Sequence, residues 1–145
     1  MSESAVAPKA AMVIEDSVHN RNIVVHLLQA LGFEVQSFEN ADVAEEALID
    51  IPAHELQIVF CDIMMPGIGG LEFCRRLRSK ADYKNTQIVM ITAVSDSHAV
   101  MEAKKIGVQS YLLKPLSGKR IVLTLTKLLP HVAMEKDVLE RLMAV

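Results

Sequence analysis

Tryptophan is absent from this sequence of 145 residues, and aromatic residues account for only 4% of it. Cysteine is scarce too. Cys61 and Cys74 both lie in apolar patterns, so we expect two reduced core residues rather than a disulfide or a metal pair. No apolar run is long enough to span a bilayer, and residues 1–9 lack the basic and apolar regions of a signal peptide. We therefore expect a cytoplasmic protein without membrane insertion, whose residues 1–9 form a flexible arm.

An excess of positive charge is missing as well. The chain has 15 Lys and Arg residues against 18 Asp and Glu, a formal net charge of −3, and no basic stripe with interleaved aromatic residues. Direct nucleic-acid binding is not expected, because neutralisation of phosphates dominates that affinity. What the sequence does contain is a globular composition, 51% hydrophobic and 23% charged. Its length is typical of one domain, which we place at residues 10–130.

Short apolar runs alternate with helical patterns along this domain. Five segments of strand length are each followed by a segment whose apolar residues recur at helical spacing; they are residues 11–14, 33–38, 58–61, 88–91 and 111–113. In 33–38, apolar and polar residues alternate, as in a half-exposed edge strand, and the other four segments are apolar runs. The runs at 58–61 and 88–91 are continuously apolar, which is typical of strands covered on both faces. The alternation predicts an α/β fold, a parallel sheet with helices on both faces and right-handed crossovers.

Polar side chains of related chemistry stand at the ends of four of these runs: Glu15 and Asp16, Asp62, Thr92, and Lys114. The carboxyl ends of parallel strands meet at one edge of a sheet, where ligands bind. Three carboxylates there would repel one another unless a cation joins them, and Mg²⁺ takes such oxygen ligands. One carboxylate could then attack phosphorus while the ammonium and hydroxyl groups contact phosphoryl oxygens. The set predicts an aspartyl phosphate formed at Asp62.

Each of these residues has an ordinary interpretation when it is taken alone. Glu15 and Asp16 are typical of a strand exit and a helix start, and Asp62 of a solvated turn. Thr92 is typical of a strand end, and Lys114 of the protein surface. Their joint placement, each on the appropriate strand end, is what favours a functional site.

Four segments, VIEDS, VFCDIMMPG, VMITA and YLLKP, occur in this order along the chain. Together they resemble the receiver domain of two-component response regulators, the CheY-like superfamily, over about residues 10–130. The resemblance implies a flavodoxin-like (βα)5 fold with strand order 2-1-3-4-5. It also implies Mg²⁺-dependent transfer of a phosphoryl group to Asp62 from a phosphohistidine of a sensor histidine kinase or a histidine phosphotransfer protein.

The resemblance implies a set of metal ligands. Asp16 and Asp62 would ligate Mg²⁺ directly, Glu15 would act through water, and the backbone carbonyl of Met64 would be a further ligand. The acidic pair is Glu–Asp rather than the commoner Asp–Asp, a variation that the family tolerates. Met64 and Val94 occupy positions that tune dephosphorylation in the family, so the lifetime of the aspartyl phosphate is not predicted.

The loop after Asp62 contains Pro66 and the glycines Gly67, Gly69 and Gly70, which predict a turn away from the sheet. Gly69 stands where many members of the family carry Asp, and this implies a looser loop. The turn would leave Asp62 at the rim of the sheet.

The resemblance also implies a switch. Thr92 and Lys114 would bind the phosphoryl oxygens, the Lys114–Pro115 peptide bond would be cis, and Tyr111 would be the aromatic switch residue. Movement of Thr92 toward the phosphoryl group would let Tyr111 swing inward. This couples the site to the surface of helix four, strand five and helix five, where the family binds its downstream protein partner. The phosphohistidine partner should approach near helix one, where His19, Asn20 and Ile23 follow the acidic pair.

Residues 131–145 predict a C-terminal amphipathic helical extension. The stripe consists of apolar residues at helical spacing: Met134, Val138, Leu139, Leu142 and Met143. It could fold back on its own domain, make a dimer or partner contact, or begin a linker. We expect no DNA-binding output domain in this chain.

Other functions are weaker interpretations. A phosphorylation-independent interaction module would not need the intact set of Asp16, Asp62, Thr92 and Lys114. A Mg²⁺-dependent phosphatase typically has a second acid two residues after the nucleophile, where this chain has Met64. We expect the protein to catalyse its own phosphorylation and dephosphorylation, without an independent enzyme activity.

Overall fold

The computed structural model describes residues 6–65, 69–93 and 97–144; Pro66 and Gly67 of the predicted turn, and Val94, lie outside the described residues. The strands form one parallel five-stranded sheet in the order β2-β1-β3-β4-β5. Their bounds are β1 Ala10–Ile14, β2 Glu34–Phe38, β3 Leu56–Asp62, β4 Gln87–Thr92 and β5 Ser110–Leu113. The predicted flavodoxin-like (βα)5 fold is confirmed.

Helices cover both faces of the sheet. Their bounds are α1 Val18–Ala30, α2 Ala41–Ala47, α3 Gly70–Arg78, α4 Ser97–Ile106, α5 Gly118–Leu128 and α6 Lys136–Met143. One core layer packs α1, α5 and α6 against the sheet, and the other packs α2, α3 and α4 against the opposite face.

β3 runs between these two core layers. Ile58 and Phe60 enter the layer of α1 and α5, while Val59 and Cys61 enter the layer of α2 and α3, because successive side chains of a strand point to opposite faces. All four are fully buried, which explains the continuous apolar run. Cys61 and its neighbour Cys74 on α3 are both free and buried, as expected.

β3 is longer than predicted and includes Asp62. The predicted strand ended at Cys61, where the apolar run ends; a carboxylate inside a buried strand is unusual. In the structure, Asp62 stays in register with Ile91 of β4, and the N–H of Ile63 donates to the carbonyl of Ile91 at 2.9 Å. The ladder thus holds the Asp62 backbone rigidly up to the edge of the sheet.

Local sequence signals fix where the helices begin and end. The side chains of Ser17, Asn40 and Ser117 accept hydrogen bonds from the third residue after each, so they cap α1, α2 and α5. Gly32 and Gly107 follow α1 and α4 with φ of 109° and 102°, a conformation that favours glycine. Because the five strands are parallel, their carboxyl ends lie on one side of the molecule, where these loops connect them to the helices.

The C-terminal extension folds back on its own domain. Val138, Leu139 and Leu142 of α6 pack against the core layer of α1 and α5. The linker before α6 pairs with the start of the chain, where Val6 N–H donates to His131 and Val6 carbonyl accepts from Ala133, both at 2.8 Å. Within the predicted arm, Val6 is therefore held by backbone pairing, and the Lys9 carbonyl accepts from the N–H of Glu34. Over the described ranges, no helix has the length and hydropathy to cross a membrane.

Candidate functional site

Three carboxylates meet at the carboxyl edge of the sheet. Glu15 and Asp16 directly follow β1, and Asp62 ends β3, the neighbouring strand. One oxygen from each lies within 4.8 Å of the others. Asp16 is exposed, whereas Glu15 and Asp62 are buried. The structure thus brings together the three acids that the sequence predicted to be close.

Glu15 is positioned by both its backbone and its side chain. Its N–H donates to Phe38 of β2, and its carbonyl accepts from Arg21 Nη1 at 2.8 Å. Its Oε2 accepts from the N–H of Ser17 at 3.0 Å. Its Oε1 lies 3.2 Å from Lys114 Nζ but makes no hydrogen bond. A buried carboxylate oxygen without a hydrogen bond is costly, so this atom is suited to a further ligand or cation.

Asp62 is held at both of its oxygens. Oδ1 accepts from the N–H of Met64 at 2.9 Å, and Oδ2 accepts from Lys114 Nζ at 3.0 Å. The residue is only 2% exposed, so these two contacts fix the carboxylate in one orientation. A pre-oriented carboxylate at the edge of a sheet is a competent nucleophile for an incoming electrophile.

The charged groups at the site shift one another's pKa values. Burial first, and then the neighbouring Asp62, raise the pKa of Glu15 to about 7. Burial alone would lower the pKa of Lys114, but Asp62 and Glu15 outweigh it and the pKa is raised. Lys114 therefore stays cationic and spans the two buried carboxylates.

β4 and β5 bring the remaining predicted residues to this edge. Thr92 ends β4 and is buried, and its carbonyl accepts from the N–H of Lys114 at 2.8 Å. The Lys114–Pro115 peptide bond is cis. Tyr111 lies on β5 opposite Met90, with 44% of its surface exposed. The backbone link between Thr92 and Lys114 couples the ends of the two strands.

The residues present fit a divalent cation. Three carboxylates with one oxygen lacking a hydrogen bond form a hard, anionic donor set of the kind that Mg²⁺ takes. In the structure, one ammonium group, that of Lys114, partly neutralises Glu15 and Asp62. Two buried carboxylates facing one lysine leave negative charge that a cation would offset.

Two residues that shape the site were missed in the sequence. Arg21, in the first turn of α1, donates to the carbonyl of Glu15, a contact with a backbone atom that no spacing rule reveals. Gly70 begins α3 so close to β3 that a Cβ there would overlap the carbonyl oxygen of Asp62. The Gly69–Gly70 pair was the available signal, because paired glycines often mark a close backbone approach.

The chain belongs to the response regulator receiver domain family, whose model matches residues 11–126. It is 30% identical over 118 residues to the transcriptional regulatory protein ResD of Bacillus subtilis, across 81% of this chain and 47% of ResD. It is 29% identical over 117 residues to the chemotaxis protein CheY-3 of Vibrio cholerae, across 81% of this chain and 88% of CheY-3. This chain thus spans about half the length of ResD and most of CheY-3.

The structure of the chemotaxis protein CheY4 of Vibrio cholerae superimposes on this chain with a TM-score of 0.77 and 28% identity. The match covers 85% of this chain and all of that one, 100%. The comparison supports the same fold and the same class of protein, a receiver of two-component signal transduction. Receivers of this family work with histidine kinases and downstream partners.

Proposed function

We propose that this chain is a phosphoryl-accepting receiver in which Asp62 takes a phosphoryl group from a phosphohistidine of a sensor histidine kinase or a histidine phosphotransfer protein. One observation carries the proposal. The buried Asp62 carboxylate is held between Lys114 Nζ and the acids Glu15 and Asp16, at the sheet edge where ligands bind.

In the transfer, one Asp62 oxygen forms a bond to phosphorus as the bond from phosphorus to the imidazole nitrogen breaks. The imidazole leaves with the electron pair of that bond and takes up a proton. Asp16 and Asp62, with Glu15 through water and the Met64 carbonyl, would hold Mg²⁺. When bound, Mg²⁺ supplies positive charge that offsets the charge of the phosphoryl oxygens.

The chain's own residues then stabilise the product. Lys114 Nζ, which contacts Asp62 Oδ2 at 3.0 Å, shifts its contact to a phosphoryl oxygen, and the Thr92 hydroxyl donates to another. Because the Lys114 N–H is bonded to the Thr92 carbonyl, both residues move as a coupled pair. Tyr111 is exposed on β5 and swings inward as Thr92 moves. This changes the α4-β5-α5 face that binds the downstream partner.

The phosphohistidine partner approaches the start of α1 in this proposal, near His19, Asn20 and Ile23. The domain bounds at 10–130, the cytoplasmic location and the absence of an independent enzyme activity stay predictions. Val138, Leu139 and Leu142 of α6 pack on their own domain, and a possible dimer stays a prediction.

The decisive experiment compares Asp62→Asn with wild type after incubation with Mg²⁺ and acetyl phosphate. We expect intact-protein mass spectrometry to show one acid-labile phosphoryl adduct on wild type and none on the variant. Asp50→Asn, an exposed aspartate outside the site, is the matched control and keeps the adduct.

Three other results would each replace the proposal. No adduct on wild type would indicate a phosphorylation-independent module. Equal adducts on wild type and Asp62→Asn would place the acceptor elsewhere. Sustained release of phosphate from a phosphomonoester would indicate a phosphatase instead, although Met64, whose side chain is 73% exposed, offers no second acid.

A further inference from the structure

The charge of this chain is unevenly distributed between its parts. Residues 97–128, which form α4, β5 and α5, contain six Lys and Arg residues and one acid, Glu102. The rest of the chain contains nine basic and seventeen acidic residues. One of the six, Lys114, is paired with Glu15 and Asp62 at the candidate site. The other five basic residues face a single acid in a protein whose net charge is −3, and such a concentration of one sign selects partners of the opposite sign.

A groove lies within this basic region. It has a volume of about 190 Å³ and is lined by Val100 and Lys104 of α4, Tyr111 of β5 and Lys127 of α5, among others. We call it the basic groove. Its lining residues, all within the described ranges, include no Asp or Glu. Glu102, the acid of the region, lies outside the lining and 3.6 Å from Lys105.

The basic groove combines apolar surface with cationic edges. Val100 and the ring of the exposed Tyr111 supply apolar contact, and Lys104 and Lys127 line the same groove. The basic side continues along α5, because Arg120, Leu123 and Lys127 follow at helical spacing on one stripe. Leu123 is 47% exposed, so this stripe also offers an apolar side chain between two cations.

We propose that the basic groove binds an acidic segment of a partner protein that places an apolar side chain between Lys104 and Lys127. Its volume of about 190 Å³ suits a side chain rather than a cofactor, and its apolar lining residues distinguish it from a surface that is only cationic. This inference rests on the proposed function, in which the α4-β5-α5 face is the output surface, and it names the chemistry of the partner there.

A second copy of this chain does not fit the groove. A two-fold interface places the same surface against itself, and here it would bring Lys104 and Lys127 against the same cations of the partner copy. Like charges across an interface act against association. The charge pattern therefore favours a different protein of opposite charge.

Selection from a random peptide library displayed on phage tests the proposal with the full chain as bait. We expect the enriched sequences to be acidic and to contain apolar residues. One enriched peptide is then synthesised, and its affinity is measured by fluorescence anisotropy. The double variant Lys104→Glu/Lys127→Glu should weaken it by about tenfold or more. The neutral double variant Lys104→Gln/Lys127→Gln should give a smaller loss, and added salt should weaken wild-type binding.

Lys84→Glu is the matched control, since Lys84 is an exposed lysine outside the region, and it should leave the affinity unchanged. Circular dichroism of each variant verifies folding. Enrichment of neutral or basic peptides, or of none, overturns the proposal. So does an equal loss of affinity in the Lys84→Glu control.

Three further results would each identify a different occupant of the basic groove and overturn the proposal. These are binding of phosphatidylserine vesicles without peptide binding, binding of duplex DNA without peptide binding, and a dimer that Lys104→Glu alters. Phosphorylation of Asp62 is measured on the same samples. Wild type that selects acidic peptides but gains no phosphoryl group would refute the proposed function and keep the inference. Wild type that gains a phosphoryl group but selects no acidic peptides would refute the inference and keep the proposed function.

Discussion

Glu15 combines complete burial with an ionisable side chain. One of its oxygens accepts a backbone hydrogen bond from Ser17, and the other has only an ion-pair distance of 3.2 Å to Lys114. The carboxylate of Asp62 lies beside it. Without a metal ion, removal of the Glu15 proton therefore adds negative charge to a region that water does not reach, and this is why its pKa is raised to about 7.

We expect this raised pKa to make the metal-free protein less stable as pH rises. The pKa of Glu15 is 4.5 in the unfolded reference and about 7 in the folded protein. Its contribution to stability is therefore complete below about pH 4.5 and is lost as pH rises through 7. In Glu15→Gln, which cannot ionise, this loss is absent. Urea unfolding in EDTA should show wild type losing up to about 3 kcal/mol relative to the variant across the window.

The matched control for that experiment is Glu46→Gln, an exposed glutamate of α2 away from the site. It should follow the wild-type pH dependence. Parallel curves for wild type and Glu15→Gln would contradict the assignment of the raised pKa to Glu15.

At the scale of elements, the site depends on how closely α3 approaches β3. The N–H of Gly70 donates to the carbonyl of Ile63. A Cβ at Gly70 would also lie 2.9 Å from the Asp62 carbonyl carbon, closer than real Cβ atoms approach. The absence of a side chain at Gly70 therefore lets α3 start directly against the backbone of Asp62.

We expect Gly70→Ala to destabilise the protein by about 3 kcal/mol, because the new methyl group overlaps the backbone of a central strand that cannot move. Gly69→Ala is the matched control. Its φ is −72° and its nearest contact would be Ile63 carbonyl at 3.9 Å, so it should stay within about 1 kcal/mol of wild type. Urea unfolding measures both. Similar losses in the two variants would show that the close approach at Gly70 is not what limits this position.

At the scale of the whole molecule, the fold and the candidate site differ in how far the sequence predicts them. The continuous apolar runs predicted the inner strands of the sheet, because a strand covered on both faces has to be apolar throughout. Asp62, Thr92 and Lys114 could be placed at one edge because each directly follows such a run. Topology alone then brings their side chains near one another.

Features that depend on the exact path of the backbone could not be predicted. Arg21 contacts a carbonyl rather than a side chain, and Gly70 acts through the space that it leaves. The apolar stripe of α6 could pack either on its own domain or on a partner, since either surface would bury Val138 and Leu142. The structure shows that they pack on its own domain.

A metal ion bound at the candidate site would couple the site to the stability of the whole molecule. A cation that binds only the folded state raises the free energy of unfolding, by about 2.7 kcal/mol at a concentration 100 times its dissociation constant. We expect Mg²⁺ to raise the midpoint of thermal unfolding. Because protons compete for Glu15, whose pKa is about 7, the increase should grow as pH rises through that value.

Asp16→Asn removes an exposed carboxylate of the cluster without disturbing the core and should lose most of the increase. Asp82→Asn, also exposed, should keep it. An increase that Asp16→Asn retains in full, or that KCl of equal ionic strength reproduces, would mean that Mg²⁺ does not bind this cluster.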